Sequence, residues 1–178
     1  KVIRFDRNSK IAYRKLAQAY SEIDDLENAS IVYENLLKLD PRDLHIIVQT
    51  SKLYIELQNF RKALLWADKA IQVSKSSGQG FGQKGNVYYK AFQSCRSTDI
   101  TDDDRIVSSL AYKYFQLAEG NNYTHYSGSA AWLKENETLF SRANWFMIDP
   151  DKQSKGYLLP EAPCYNWVEE RLKKDPTW

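Results

Sequence analysis

A spacing of 34 residues recurs through the first half of this chain. Tyr13, Leu16, Ala17, Tyr20, Ala29 and Tyr33 form one set, closing on Leu39-Asp40-Pro41. One period later Ile47, Thr50, Ser51, Tyr54, Ala63 and Ala67 occupy the equivalent places, and Ala70 continues the stripe. Within each set the apolar residues fall at helical spacing on two stretches separated by a polar break. Each unit therefore reads as two helices joined by a short turn. Neither can bury its apolar face alone, so the units must stack and share one continuous core. That predicts an all-α solenoid.

The first unit spans 10–42. Ile11, Tyr13, Leu16, Ala17 and Tyr20 mark its leading helix, Asp24-Asp25 break it, and Leu26 to Leu39 return before Pro41 stops the chain from continuing as helix. The second unit spans 43–77, with Leu44, Ile47, Val48, Leu53 and Tyr54 leading and Asn59 as the cap of the return. The third, 78–119, is altered. Phe81, Gly85 and Tyr88 keep the period, but Ala111, Phe115 and Ala118 arrive late, so roughly 14 residues are inserted near 95–104. Part of that segment is expected to lengthen the leading helix and the rest to project as a loop. Residues 1–9 read as the end of a preceding repeat, because Phe5-Asp6 stands one period before Leu39-Asp40. The chain is then the C-terminal part of a longer array. After Gly120 the period is lost. Residues 120–178 are irregular and rich in aromatics, with one or two short helices expected between Ala130 and Phe146 and a last one from Asn166 to Lys174. A solenoid needs a cap over its open end, and this tail has the composition for one.

Composition narrows the function classes. The formal charge is only +2, with both signs mixed along the chain, and a nucleic-acid binder would show a basic stripe. No apolar run reaches the ~20 residues that span a bilayer. Two cysteines, Cys95 and Cys164, have no metal spacing. They fit one disulfide in an oxidising compartment or two separate thiols in a reducing one. If the tail folds back as a cap, the two can meet.

Several local patterns invite chemical readings. Gly80-Phe81-Gly82-Gln83-Lys84-Gly85-Asn86-Val87 matches a phosphate-loop spacing, but a helix precedes it where such a loop needs a strand. The alternative is that Gly78 and Gly80 end a helix and Gly85 permits close packing. Asp99, Thr101 and Asp103, and again Asp149, Asp151 and Gln153, have partial calcium-loop spacing without the glycine and distal glutamate. Thr101-Asp102-Asp103-Asp104 equally makes a capped helix start. His45 and His125 are isolated, and no nucleophile is paired with a base, so no catalytic, metal or cofactor site is assigned. Asn28-Ala29-Ser30, Asn122-Tyr123-Thr124 and Asn136-Glu137-Thr138 match glycosylation acceptors, which matter only in a eukaryotic secretory setting.

The recurring small residue (Ala17, Ser51, Gly85), tyrosine (Tyr20, Tyr54, Tyr88) and returning alanine (Ala29, Ala63, Ala111) resemble the tetratricopeptide repeat. That resemblance implies a non-catalytic protein–protein scaffold or assembly subunit of a larger complex. It also implies a concave groove lined by leading helices, in which Arg14, Gln18, Lys52, Asn86, Tyr89 and Lys90 receive a protein or peptide segment. The carboxylate clamp of chaperone-tail binders is not reproduced, since Val48 and Gly82 stand where polar groups are wanted. The region from 80 to 170, through Phe81-Gly82-Gln83-Lys84-Gly85, Trp145-Phe146 and Cys164-Tyr165-Asn166-Trp167, is also similar to the ends of certain bacterial envelope-associated repeat proteins. That likeness favours the periplasm or cell envelope over the cytoplasm. A competing class is a glycan-binding or peptidoglycan-associated module using Trp132, Trp145 and Trp167. Buried rings favour the scaffold, and an exposed coplanar pair favours glycan binding.

Overall fold

The computed structural model describes residues 9–178, and the predicted end of a preceding repeat at 1–9 lies outside them except for Ser9, which caps the first helix described. Three antiparallel helical hairpins stack in chain order. They are α1 (Lys10–Glu22) with α2 (Leu26–Leu39), α3 (Leu44–Glu56) with α4 (Phe60–Val73), and α5 (Gln79–Cys95) with α6 (Asp102–Gly120). The period is visible in the backbone as well as in the side chains. Ser9 and Asp43 cap α1 and α3, each accepting from a backbone amide three residues on. The two hairpin turns are the same turn. Asp24 and Gln58 take left-handed φ of 59° and 54°, and the amides of Asp25 and Asn59 return to the carbonyls of Tyr20 and Tyr54 at 2.9 and 2.8 Å. Asp25 and Asn59 then cap the returning helices. The same backbone turn and the same kind of polar cap thus close each hairpin.

Small residues set the helix spacing. Ala17, Ala29, Ala63, Ala67, Ala70 and Ala111 are fully buried. The three helical glycines of the phosphate-loop pattern do the same on three sides of α5. A Cβ on Gly80 would meet the Ile71 amide of α4 at 2.6 Å, one on Gly85 the Phe115 ring of α6 at 2.6 Å, and one on Gly82 the Tyr123 ring at 2.8 Å. Gly78, with φ of +65°, starts α5, whereas Gly80 lies inside its first turn rather than ending the preceding helix. A buried polar thread also crosses the units. Ser51 donates to the Ala63 carbonyl at 2.8 Å, Gln83 to Ser51 Oγ at 3.0 Å, and Tyr126 to Gln83 at 3.2 Å. Buried polar groups that are satisfied in this way specify register as well as contact.

The inserted residues of the third hairpin are mostly helix. The helices of the second hairpin have 13 and 14 residues, those of the third 17 and 19, and only Arg96–Thr101 link them. The expected projecting loop is therefore a short link between lengthened helices. Thr101 caps α6 through a reciprocal capping box with Asp104, which is why the acidic run starts a helix.

The period continues one helix further than the sequence suggests. Helix α7 (Ser127–Glu135) ends in the same turn as α1 and α3, with Glu137 at φ 53° and the Thr138 amide returning to the Leu133 carbonyl. Ala130 and Leu133 take the places of Ala17 and Tyr20, so α7 is a fourth leading helix. It was hidden because the lengthened third unit shifts its register and leucine replaces the tyrosine. No return follows. Short helices α8 (Arg142–Met147) and α9 (Pro150–Ser154) lead to a two-residue antiparallel pair, β1 (Tyr157–Leu158) with β2 (Leu172–Lys173). The helix expected over Asn166–Lys174 does not form. A segment that short is marginal on its own propensity. Its residues are held instead by three separate partners, with Trp167 on Phe60 and Tyr88, Glu170 on lysines and tyrosines, and Leu172 in the β pair.

Candidate functional site

The six groove residues predicted on the leading helices fall into two groups. Arg14 and Gln18 are exposed on α1, where Arg14 pairs with Asp43 and Gln18 donates to Glu22 at 2.9 Å. Lys52 is half-buried on α3, and Lys90 is exposed on α5 with Nζ 6.0 Å from the Tyr89 ring centroid. Asn86 is half-buried, and Tyr89 packs edge-on against Phe115 and Trp132 at 6.0 and 6.2 Å. At the register of Arg14, Val48 and Gly82 are both buried, Gly82 beneath Tyr123 and Tyr126. The cap thus closes over part of the third leading helix, while the first two keep their polar residues at the surface.

The tail is anchored on the first half of α6, including the turns that the third hairpin gained, and on the end of α5. Asp103 accepts from the Glu161 and Ala162 amides at 3.1 and 2.7 Å, and Tyr165 donates to buried Asp104 at 2.6 Å. Ser108 donates to the Thr138 carbonyl at 2.6 Å, Ser109 accepts from the Phe140 amide at 2.8 Å, and Arg105 donates to the Glu137 carbonyl. Cys95, at the end of α5, is joined to Cys164, with Cα atoms 6.0 Å apart. Insertion and cap are therefore one structural feature, since the added helix is the platform on which the tail lands.

A second anchor was not legible in the sequence. Glu170 accepts from Lys113 at 2.8 Å, Tyr114 at 2.7 Å and Tyr88 at 3.2 Å, and lies 3.0 Å from Lys84. Lys84 also pairs with Asp68 at 2.8 Å. Burial by itself raises the Glu170 carboxyl, but the Lys113 hydrogen bond and the Lys84 charge hold it below its ordinary value. For Lys84, burial alone lowers the ammonium, and Asp68 and Glu170 outweigh it, leaving the group raised. Burial and the Glu170 hydrogen bond push Tyr114 up to about 12. The cluster joins α4, α5, α6 and the tail by charge, with the ionised forms of Glu170 and Lys84 stabilised in place.

The remaining candidates fall to structural roles. Thr101 and Asp149 cap helices, and no group of His, Cys, Asp and Glu able to hold a metal occurs among the described residues. Trp145 and Trp167 are buried, and Trp132 lies half-buried against Tyr89 and Phe92, so these rings form no exposed coplanar pair. Of the acceptor patterns, Asn28 precedes fully buried Ala29 and Asn136 leads to fully buried Thr138.

With this geometry in place, the chain can be set beside known protein families. Residues 11–43 match a family model described as tetratricopeptide repeat. That span is the first hairpin and its link to α3. No curated protein matches the chain. Tetratricopeptide repeats generally mediate protein–protein interaction and are typically non-catalytic modules, and the stacked pairs of this chain form a solenoid of that kind. No helix among the described residues is long and apolar enough to cross a membrane.

Proposed function

We propose that the protein is a non-catalytic scaffold or assembly subunit of a larger complex, holding a protein or peptide segment along the face of its leading helices. One observation carries the reading. Gln18, Lys52 and Asn86 recur at the 34-residue period and all keep contact with solvent, while the residue before each, Ala17, Ser51 and Gly85, is buried in the stack. The array thus repeats a polar face over an apolar spine. Arg14, Lys52 and Lys90 add positive charge to that face, which suits an acidic segment or a chain terminus. Tyr89 and Asn86 would border the site where the cap begins.

The setting we propose is a bacterial periplasm or cell envelope, within a longer repeat protein. The joined Cys95–Cys164 pair supports an oxidising compartment. Affinity purification of the full-length protein, with mass spectrometry of what accompanies it, tests the reading. A stoichiometric partner that is lost from the Arg14→Ala, Lys52→Ala, Lys90→Ala triple variant is the expected result. Retention of the partner at equal affinity by that variant, at low and high salt alike, would refute the assignment of the face.

A further inference from the structure

The outer end of the cap leaves two neighbouring apolar side chains to solvent. Helix α8 is fixed by a reciprocal capping box between Ser141 and Asn144 and by Trp145, which is buried in a cluster with Ile106, Phe140 and Leu158. Each residue turns about 100° round a helix, so the two that follow an inward side chain point away from it. The packing that buries Trp145 therefore drives Phe146 and Met147 outward, to 56% and 84% exposure. Scattered single apolar residues on a surface are ordinary. Among the described residues, Phe146 and Met147 are the only two exposed large apolar side chains that adjoin in sequence. Exposure this high makes them a knob, not the floor of a groove.

Cations stand beside the knob. The Arg142 guanidinium, one turn earlier on α8, lies 5.8 Å from the Phe146 ring centroid, and Lys174 Nζ lies 5.9 Å from it. Among the described residues neither is in an ion pair. The acids adjacent in sequence have other partners. Asp149 accepts from the Asp151 amide at 2.8 Å as the cap of α9, and Asp175 accepts from the Thr177 hydroxyl at 2.7 Å. Residues 142–155 and 171–175 are brought together by the β1–β2 pair and by the Lys174 amide, which donates to the Gly156 carbonyl at 3.0 Å. These two segments hold six cations and three acids, a formal charge of +3. The whole chain carries only +2, so the remainder is net negative and the positive excess is concentrated at this corner.

We propose that this corner of the cap rests on an anionic phospholipid surface, with Phe146 and Met147 inserted beneath the headgroups and Arg142 and Lys174 on lipid phosphates. A convex apolar knob needs either a matching hole or a medium that deforms round it. A bilayer interface is such a medium and asks for no shape complementarity. Apolar side chains of interface-bound segments sink about 5–10 Å, so cations 5.8 and 5.9 Å from the Phe146 ring reach the level of the phosphates. The contact needs no spanning helix. It uses no residue of the leading-helix face, so either assignment can fail without the other.

Cosedimentation of the whole protein with sucrose-loaded vesicles tests it. One set is phosphatidylcholine alone, and the other is phosphatidylcholine and phosphatidylglycerol in equal parts. Binding to the anionic vesicles on the order of tenfold tighter than to the neutral ones, and weakened by salt, is expected. Phe146→Ser with Met147→Ser lowers that binding on the order of tenfold while leaving thermal unfolding unchanged, since both side chains are exposed. Met147→Ser alone, at the more exposed site, gives part of the same loss. Arg142→Gln with Lys174→Gln removes most of the preference for anionic vesicles. Leu65→Ser, at another exposed apolar site, binds as the unaltered protein does. No binding to anionic vesicles, equal binding to both sets, or binding unaltered by the Phe146 and Met147 substitutions overturns the proposal. Retention on immobilised poly-glutamate without vesicle binding does so as well, and assigns the corner to an acidic protein segment.

Discussion

Neutralising Glu170 should loosen the cap, and the adjacent Glu169 supplies the control. The Glu170 side chain is 19% exposed and its partner Lys84 11% exposed, so this pair is largely removed from water. Glu170→Gln keeps the shape and an acceptor for Tyr114, but it removes the charge facing Lys84 and Lys113. A fully buried pair broken on one side costs about 3–5 kcal/mol. Here Lys84 keeps Asp68, and Lys113 is half exposed, so its contact resembles a surface pair worth under about 1 kcal/mol. The expected loss is about 2–3 kcal/mol, within the range of charged hydrogen bonds. In a chain of this size that lowers Tm by about 4–12 °C. Glu169, with its side chain 84% exposed and 3.4 Å from Arg61, should change Tm by no more than about 1 °C on substitution to Gln. The pH dependence has a definite sign. The folded carboxyl lies below its ordinary 4.5, so the stabilisation is complete above that value and is lost as pH falls through the folded one. Thermal unfolding by circular dichroism and tryptophan fluorescence, from pH 7 to 3, reads both effects. Equal Tm shifts for the two substitutions, or a Glu170→Gln deficit that persists unchanged at pH 3, would show that the cluster does not hold the tail.

Other substitutions probe the stack and the bridge. Ala63→Trp at a fully buried contact should cost about 1–3 kcal/mol or more by overpacking, seen as a lowered urea midpoint. Gly80→Ala should cost at least about 1 kcal/mol by pressing on the Ile71 amide, whereas Gly128→Ala, which meets nothing within 4 Å, should be neutral or add about 0.5 kcal/mol. Reducing the Cys95–Cys164 pair should lower stability by about 2–4 kcal/mol, measured as the Tm difference with and without reductant. Thiol titration of denatured, unreduced protein from its native compartment should find no free thiol at Cys95 and Cys164.

The hairpins were legible because their signals are local and repeated. Ala17, Ser51 and Gly85, and Tyr20, Tyr54 and Tyr88, recur at one spacing and each needs only its own helix pair to make sense. Asn59 and Thr101 were readable as caps for the same reason. The tail was not readable at this level. Trp167, Glu170 and Leu172 suggest a helix when taken together, yet each is claimed by a different distant partner, and long-range contacts override a short segment's propensity. The fourth leading helix was missed because its register depends on how far α5 and α6 extend. The polar face at Gln18, Lys52 and Asn86 followed from the period. The covering of Gly82 by Tyr123 and Tyr126 did not, because it joins residues about 40 apart that share no local pattern.

Lysine footprinting of the protein with its captured partner tests the proposed face most directly. Acetylation rates at each lysine, with and without partner, report which side of the array is covered. The account predicts protection at Lys52 and Lys90, with Lys62 and Lys69 on the returning helix and Lys155 in the cap reacting as before. Protection confined to Lys62, Lys69 or Lys155, with Lys52 and Lys90 unchanged, would contradict it.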